Sequence, residues 1–278
     1  METFLIIFMN LLVGTCIGLT GIAGFLLPMF YTGFLGMSST LALAYSFSAF
    51  LISGILGSIN YKKSGNLDIT TGTVLSAGSF AGAVLGVKLN LLIPEDLIKL
   101  LLYLVVLLSG LSILVKTKKT ASSPQKQPCK NQAAQTEESR STSSRHLLKS
   151  ARQYKFYGYL LLGLATGSVC AASGAGGPVL VMPLLTVIGF PVHTAVGISL
   201  FNSIFIALPS AAGYLYAAFG NAVPAQGNYV LILPILLAHG IGVMWGSKNA
   251  VKVNQELLKK IVAAVSIAVA CLKLCGIL

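Results

Sequence analysis

The chain has 278 residues, of which 55% are hydrophobic and 9% charged, with a formal net charge of +12; its mean hydropathy is +0.84. Soluble domains carry about 25% charged residues, so this composition excludes a water-covered globule and points to lipid as the solvent. Ten of the 19 lysines and arginines fall between Lys116 and Lys155, opposed there only by Glu137 and Glu138. The charge therefore marks one segment and not a nucleic-acid-binding face.

A membrane-spanning helix needs about 20 mostly apolar residues. In chain order the candidates are residues 4–35, 40–61, 69–87, 97–115, 156–188, 193–219, 229–246 and 257–274. The expectation is an all-α polytopic membrane protein of about eight transmembrane helices, rising to ten if the first helix of each half is split. No lysine or arginine precedes the first apolar run, so it reads as a span and not as a cleaved signal peptide. Residues 116–155 are basic and rich in Ser, Thr and Gln, which reads as a solvated, disordered linker with anionic lipid headgroups as a secondary partner. It separates a first repeat, 1–115, from a second, 156–278.

The two halves match in order. Gly14-x-x-x-Gly18 corresponds to Gly163-x-x-x-Gly167, and Gly21-Ile22-Ala23-Gly24 to Gly174-Ala175-Gly176-Gly177. Ser46 corresponds to Ser199, Tyr61-x-x-x-Gly65-Asn66 to Tyr216-x-x-x-Gly220-Asn221, and Gly82-x-x-x-Gly86-x-Lys88 to Gly242-x-x-x-Gly246-x-Lys248. Internal repeats are a mark of secondary transporter folds, with the substrate site at the repeat interface. If every segment crosses once, one face carries 13 cations and the other six. The positive-inside rule then puts the 13-cation face, the linker and both termini in the cytoplasm. Four crossings per half would make the repeats parallel; one more inside each long first segment would make them inverted.

The chemistry concentrates in those first segments. Gly21 and Gly24 in one half, and Gly174, Gly176 and Gly177 in the other, are followed by Pro28, Pro178 and Pro183. Glycine weakens a helix and proline breaks it. A broken helix in lipid is tolerated where it faces protein or a watery cavity, and a half-helix N-terminus suits an anion. Close packing through small residues is the structural alternative. Ser46, Ser199 and Asn202 follow on the next helices, where they could hydrogen-bond an oxyanion or simply a neighbouring helix. Gly78-x-x-x-Gly82-x-x-x-Gly86 reads as helix packing.

His193 and His239 read as packed neutral rings, with protonation of His239 as the functional alternative. Lys88 and Lys248 read as snorkelling cations, and Cys16 and Cys170 as buried small residues. The five cysteines, including Cys129, Cys271 and Cys275, form neither a disulfide framework nor a zinc spacing. No H-E-x-x-H, G-x-S-x-G or Walker loop is present, so no enzyme, no metal and no cofactor is expected.

The glycine-rich breaks, Gly197-Ile198-Ser199-Leu200, the Tyr216–Asn221 segment and the Gly242–Lys248 turn resemble the TauE/SafE family of sulfite exporter-like permeases, over nearly the whole chain except the linker. The resemblance implies a permease in the bacterial plasma membrane. It would move sulfite or another small organosulfur or carboxylate anion by secondary transport, with its site at the two breaks. Ala44-Tyr45-Ser46 stands where the other half has Gly197-Ile198-Ser199, so the halves are expected to contribute unequally. A non-transporting scaffold or assembly factor is the alternative. A homo-oligomer stays open.

Overall fold

The computed structural model describes residues 2–21, 23–94, 97, 142–220, 229–250 and 264. The expected spans at 97–115 and 257–274, apart from Leu97 and residue 264, lie outside that set, as do linker residues 116–141. Every regular element is helical: α1 (Glu2–Thr20), α2 (Leu26–Gly33), α3 (Ser39–Lys63), α4 (Ile69–Leu92), α5 (Thr142–Ser173), α6 (Gly177–Ile188), α7 (Val192–Phe219) and α8 (Ile232–Asn249). Short 3-10 turns, Ala23–Phe25 and Tyr229–Leu231, lead into α2 and α8. Helices α1, α3, α4, α5 and α7 are each long and apolar enough to cross a bilayer. The 18 residues of α8 rise about 27 Å, close to the thickness of a hydrocarbon core. Helix α5 starts at Thr142, earlier than its apolar run, so its first turns carry the basic residues that end the linker.

Local chemistry sets the boundaries. Helix α3 stops because Gly65 takes a left-handed φ of +71°. The Gly65 N–H then donates to the Lys62 carbonyl at 3.0 Å and the Asn66 N–H to the Tyr61 carbonyl at 2.9 Å, a Schellman stop. The Tyr61-x-x-x-Gly65-Asn66 motif is thus a helix terminator. Asp68 restarts the chain: its carboxylate accepts from the Thr70 N–H at 3.0 Å and the Thr71 hydroxyl at 2.7 Å, capping α4.

Close contacts fix the helix directions. Gly14 of α1 lies against His239, and Gly18 against Val243 and Ser247, so α1 and α8 run parallel. Gly78 meets Leu160, Gly82 meets Leu164 and Gly86 meets Ser168, so α4 and α5 are also parallel. Helix α8 runs with α3, because Gly240 sits on Ile52 and Leu56 while Asn60 donates to Ser247 at 2.6 Å. Helix α7 runs with α4, from Gly72 on Phe201 to Gly213 on Val87. It opposes α3, where Gly54 meets Ser203 and Gly57 meets Leu200.

Helices α1, α3 and α8 therefore point one way and α4, α5 and α7 the other. Repeat-equivalent helices (α1 and α5, α3 and α7, α4 and α8) are opposed in every case, so the halves are inverted. Because α1 and α3 are parallel, residues 21–38 must carry the chain back through the bundle; residues 174–191 do the same between α5 and α7. The single crossing per first segment assumed in the charge count does not occur. The outward faces are apolar: Phe8, Leu161, Ile241 and Trp245 are each at least half exposed, as lipid permits.

The parallel pairs rest on backbone-to-backbone contact, with the position of a Cβ at Gly82 already taken by the Leu164 carbonyl. Gly82→Leu is expected to destabilise the bundle by more than about 3 kcal/mol, whereas Gly158→Ala, facing open space, leaves it unchanged. Unfolding in detergent micelles measures both.

Candidate functional site

The two breaks have the same construction. Helix α1 ends where the Gly21 N–H donates to the Ile17 carbonyl at 2.8 Å, and Gly21 turns the chain with φ +71°. Helix α5 ends where the Gly174 N–H donates to the Cys170 carbonyl at 2.9 Å, with Gly174 at φ +71° and Gly176 at +73°. Side chains rarely adopt these angles.

The breaks begin at opposite ends of the bundle and converge on its centre. Gly21 touches Val196, beside the Gly197 that packs on Tyr61 and Asn66 at the end of α3. Gly174 touches Leu43, near the start of α3. Gly24, three residues past Gly21, and Gly176, two past Gly174, have both reached Phe50 in the middle of α3. Its ring lies 3.4 Å from where a Cβ of Gly24 would stand and 3.3 Å from that of Gly176. The Ala175 carbonyl is 3.5 Å from the same Gly24 position. Gly177 packs on Ser203, which itself faces Gly54.

From this crossing the half-helices leave for opposite ends, α2 with 8 residues and α6 with 12. Their N-termini meet at the buried centre, and the C-terminal ends of α1 and α5 lie away from it. Neither N-terminus has a side-chain cap. Both positive dipole ends thus lie near the crossing, with no acceptor side chain bonded at either N-cap.

Of the five candidate glycines, Gly24, Gly176 and Gly177 lie at the crossing, on Phe50 and Ser203, while Gly21 and Gly174 turn the chain nearer opposite ends of the bundle. The candidate hydroxyls are placed one turn away and are occupied: Ser46 donates to the Ala42 carbonyl at 2.7 Å and Ser199 to the Val196 carbonyl at 2.9 Å. Each offers lone pairs and not a proton to the centre. Asn202 is different, because it is wholly buried and neither atom of its amide has a hydrogen-bond partner among the described residues. The Ser203 hydroxyl is likewise unpaired. Phe50 and Ser203 occupy equivalent positions in the two repeats, and sequence reasoning passed over both; the register anchored by Ser46 and Ser199 was the available signal.

The remaining residues fall into place around this centre. Lys88 and Lys248 are exposed, Cys16 is half-buried and Cys170 buried, and His193 sits half-buried at the start of α7. His239 is wholly buried on α8.

Inverted repeats with paired broken helices at the centre of the bundle are an arrangement found in many membrane transporter folds. A family model described as sulfite exporter TauE/SafE matches residues 6–272, and the chain belongs to that family of membrane transporters. A probable membrane transporter protein of Methanocaldococcus jannaschii is 32% identical over 118 residues, covering 42% of this chain and 43% of that protein. A probable membrane transporter protein of Bacillus subtilis is 23% identical over 258 residues, covering 92% and 93%. These relatives are transporters by name and not enzymes. No solved structure matches.

Strain and crowding can be separated at the break. Gly36 has φ +62° with open space where a Cβ would stand, while at Gly174 that space is filled by Leu43. Gly36→Ala is expected to cost about 1–2 kcal/mol of backbone strain, and Gly174→Ala at least twice as much. Unfolding midpoints of the two purified variants decide this.

Proposed function

We propose that the chain is a permease for a small anion, sulfite or a small organosulfur anion such as a sulfonate, moved by secondary transport on an ion or proton gradient. The observation that carries the reading is the meeting of two uncapped half-helix N-termini at a buried crossing. Such ends favour negative charge by up to about 2 kcal/mol each in partly buried geometry. Gly24, Gly176 and Gly177 admit a ligand to the backbone there, and Gly21 and Gly174 supply the turns that bring the chain to it. The Asn202 amide supplies an N–H donor beside it, and Ser203 a hydroxyl. Ser46 and Ser199 stand one turn back, each bonded to a carbonyl of its own helix. Inverted halves suit alternating access, because exchanging their conformations exchanges the two sides of the membrane.

The fold-back changes the expected orientation. Lys62, Lys63, Lys248 and the start of α5, with Arg145, Lys149, Arg152 and Lys155, belong to one end of the bundle; Lys88 belongs to the other, with the start of α1. The positive-inside rule then places the first end in the cytoplasm of a prokaryotic plasma membrane and the start of α1 outside. A Thr3→Cys variant is expected to react with a membrane-impermeant maleimide in intact cells, and a Ser64→Cys variant only after permeabilisation. The reverse pattern would invert the assignment.

Proteoliposomes test the permease reading. Radiolabelled sulfite, sulfoacetate or methanesulfonate should enter faster than into protein-free vesicles. Gly21→Leu and Gly174→Leu should abolish that flux while still inserting, and Asn202→Ala should reduce it at least tenfold. A wild-type protein that moves none of these anions refutes the reading.

A further inference from the structure

An anion entering this bundle must have its charge compensated, because an unpaired charge in a desolvated core is costly. The described core contains no buried lysine, arginine, aspartate or glutamate. The one wholly buried group in it that can become a cation is His239. Its position is central: the imidazole centroid is 6.5 Å from that of Phe50, the ring on which both breaks converge.

The hydrogen bonding of this imidazole is half complete. Nδ1 lies 3.2 Å from the Asn10 carbonyl oxygen. A carbonyl only accepts, so Nδ1 carries the proton of the neutral ring. Nε2 is then a bare lone pair, and it has no partner among the described residues. A lone pair repels an anion; an Nε2–H⁺ attracts one. The equivalent position in the first repeat shows the contrast. Ser79 stands there, and its hydroxyl is satisfied by the Gly163 carbonyl at 3.1 Å.

We propose that His239 carries the proton that accompanies the anion: Nε2 takes up one proton as a fully ionised sulfonate reaches the crossing, and the two charges traverse as a neutral pair. This rests on the anion-permease reading. The proton comes from the side the anion leaves and is released where the anion is released; only the Nε2–H bond forms and breaks. The pair interacts across the width of the Phe50 ring, where low polarity strengthens attraction. Few other groups compete for the proton. Tyr31 is linked to His239 through Asn10, whose amide donates to the Tyr31 hydroxyl at 2.6 Å and whose carbonyl faces Nδ1. Helix α1 also carries Cys16, and α3 carries Tyr45 and Tyr61, with Lys62 and Lys63 at its end. The 3-10 turn before α8 is about 12 Å along the helix from His239.

Two measurements test the assignment. The chain has three histidines. With His146 and His193 replaced by glutamine and the remaining histidine labelled with nitrogen-15, methanesulfonate should move the Nε2 resonance to the imidazolium range. Methanesulfonate has no proton to contribute between about pH 6 and 8. A resonance that stays neutral at saturating methanesulfonate overturns the proposal, and so does a wild-type protein that binds no sulfonate. In proteoliposomes holding a pH-sensitive dye, wild-type methanesulfonate entry should acidify the lumen by one proton per anion. His239→Gln, at an unchanged melting temperature, should lose at least tenfold in flux and all of the acidification. Sulfonate flux without acidification overturns the role of His239 and leaves the permease standing. No flux of any anion overturns both.

Discussion

Hydrocarbon offers no hydrogen bond to a broken backbone, and the rest of this structure follows from that constraint. A chain can leave helical geometry in the middle of a bilayer only where other protein or a ligand takes over the lost contacts. Here it does so twice, at Gly21 to Phe25 and at Gly174 to Gly176, and each break is walled by the opposite repeat. Gly21 lies against Val196 and Pro178; Gly174 lies against Leu43 and Pro28. Neither half could keep its broken segment in lipid alone.

The same reciprocity runs through the helix pairs. The first helix of each repeat packs backbone-to-backbone on the fourth helix of the other: α1 on α8, and α5 on α4. Small residues make this possible, since apolar side chains gain little from leaving lipid and close backbone approach must supply the attraction. One tyrosine in each half marks the symmetry. The Tyr61 hydroxyl donates to the Gly18 carbonyl at 3.4 Å, and the Tyr214 hydroxyl to the Ala171 carbonyl at 2.8 Å. In each case the third helix of a repeat is tied to the end of its first. The described parts of the two halves are thus interlocked.

Much of this was legible in the chain itself. The Gly21/Gly174 and Ser46/Ser199 matches marked the repeats, and paired glycine and proline clusters located the breaks; the tyrosine match was two residues out, since Tyr214 and not Tyr216 makes the bond equivalent to that of Tyr61. The Gly78 ladder announced a helix contact. The direction of the second half was not legible. Hydropathy marks residues 4–35 as one apolar run and contains no sign of whether the chain turns inside it. The contacts of α1 and of α3 with α8 decide that, and they are tertiary. The same blindness misplaced the charge count, since one extra crossing moves the start of α1 to the opposite face from Lys62. Nor could a sequence distinguish a satisfied serine from an unsatisfied one. Ser46 and Ser199 repeat and drew attention, yet each is spent on its own helix, while Asn202 and Ser203 are left unpaired by the fold.

The centre itself departs from symmetry, and that departure bears on what it could hold. Inverted repeats relate Phe50 to Ser203 and Ser79 to His239, so an apolar or satisfied group of the first repeat corresponds to an unsatisfied polar one of the second. One wall is an aromatic ring packed on both breaks. The other carries an unpaired hydroxyl beside an unpaired amide. A fully hydrated spherical ion has no use for the ring. An anion with an oxygen-bearing head and a small apolar tail satisfies both walls at once, its head toward the half-helix N-termini and Asn202, its tail on Phe50. That division supports an organosulfur anion over a bare inorganic one within the proposed reading, and it explains why two halves of common origin would keep different residues at the point where they meet.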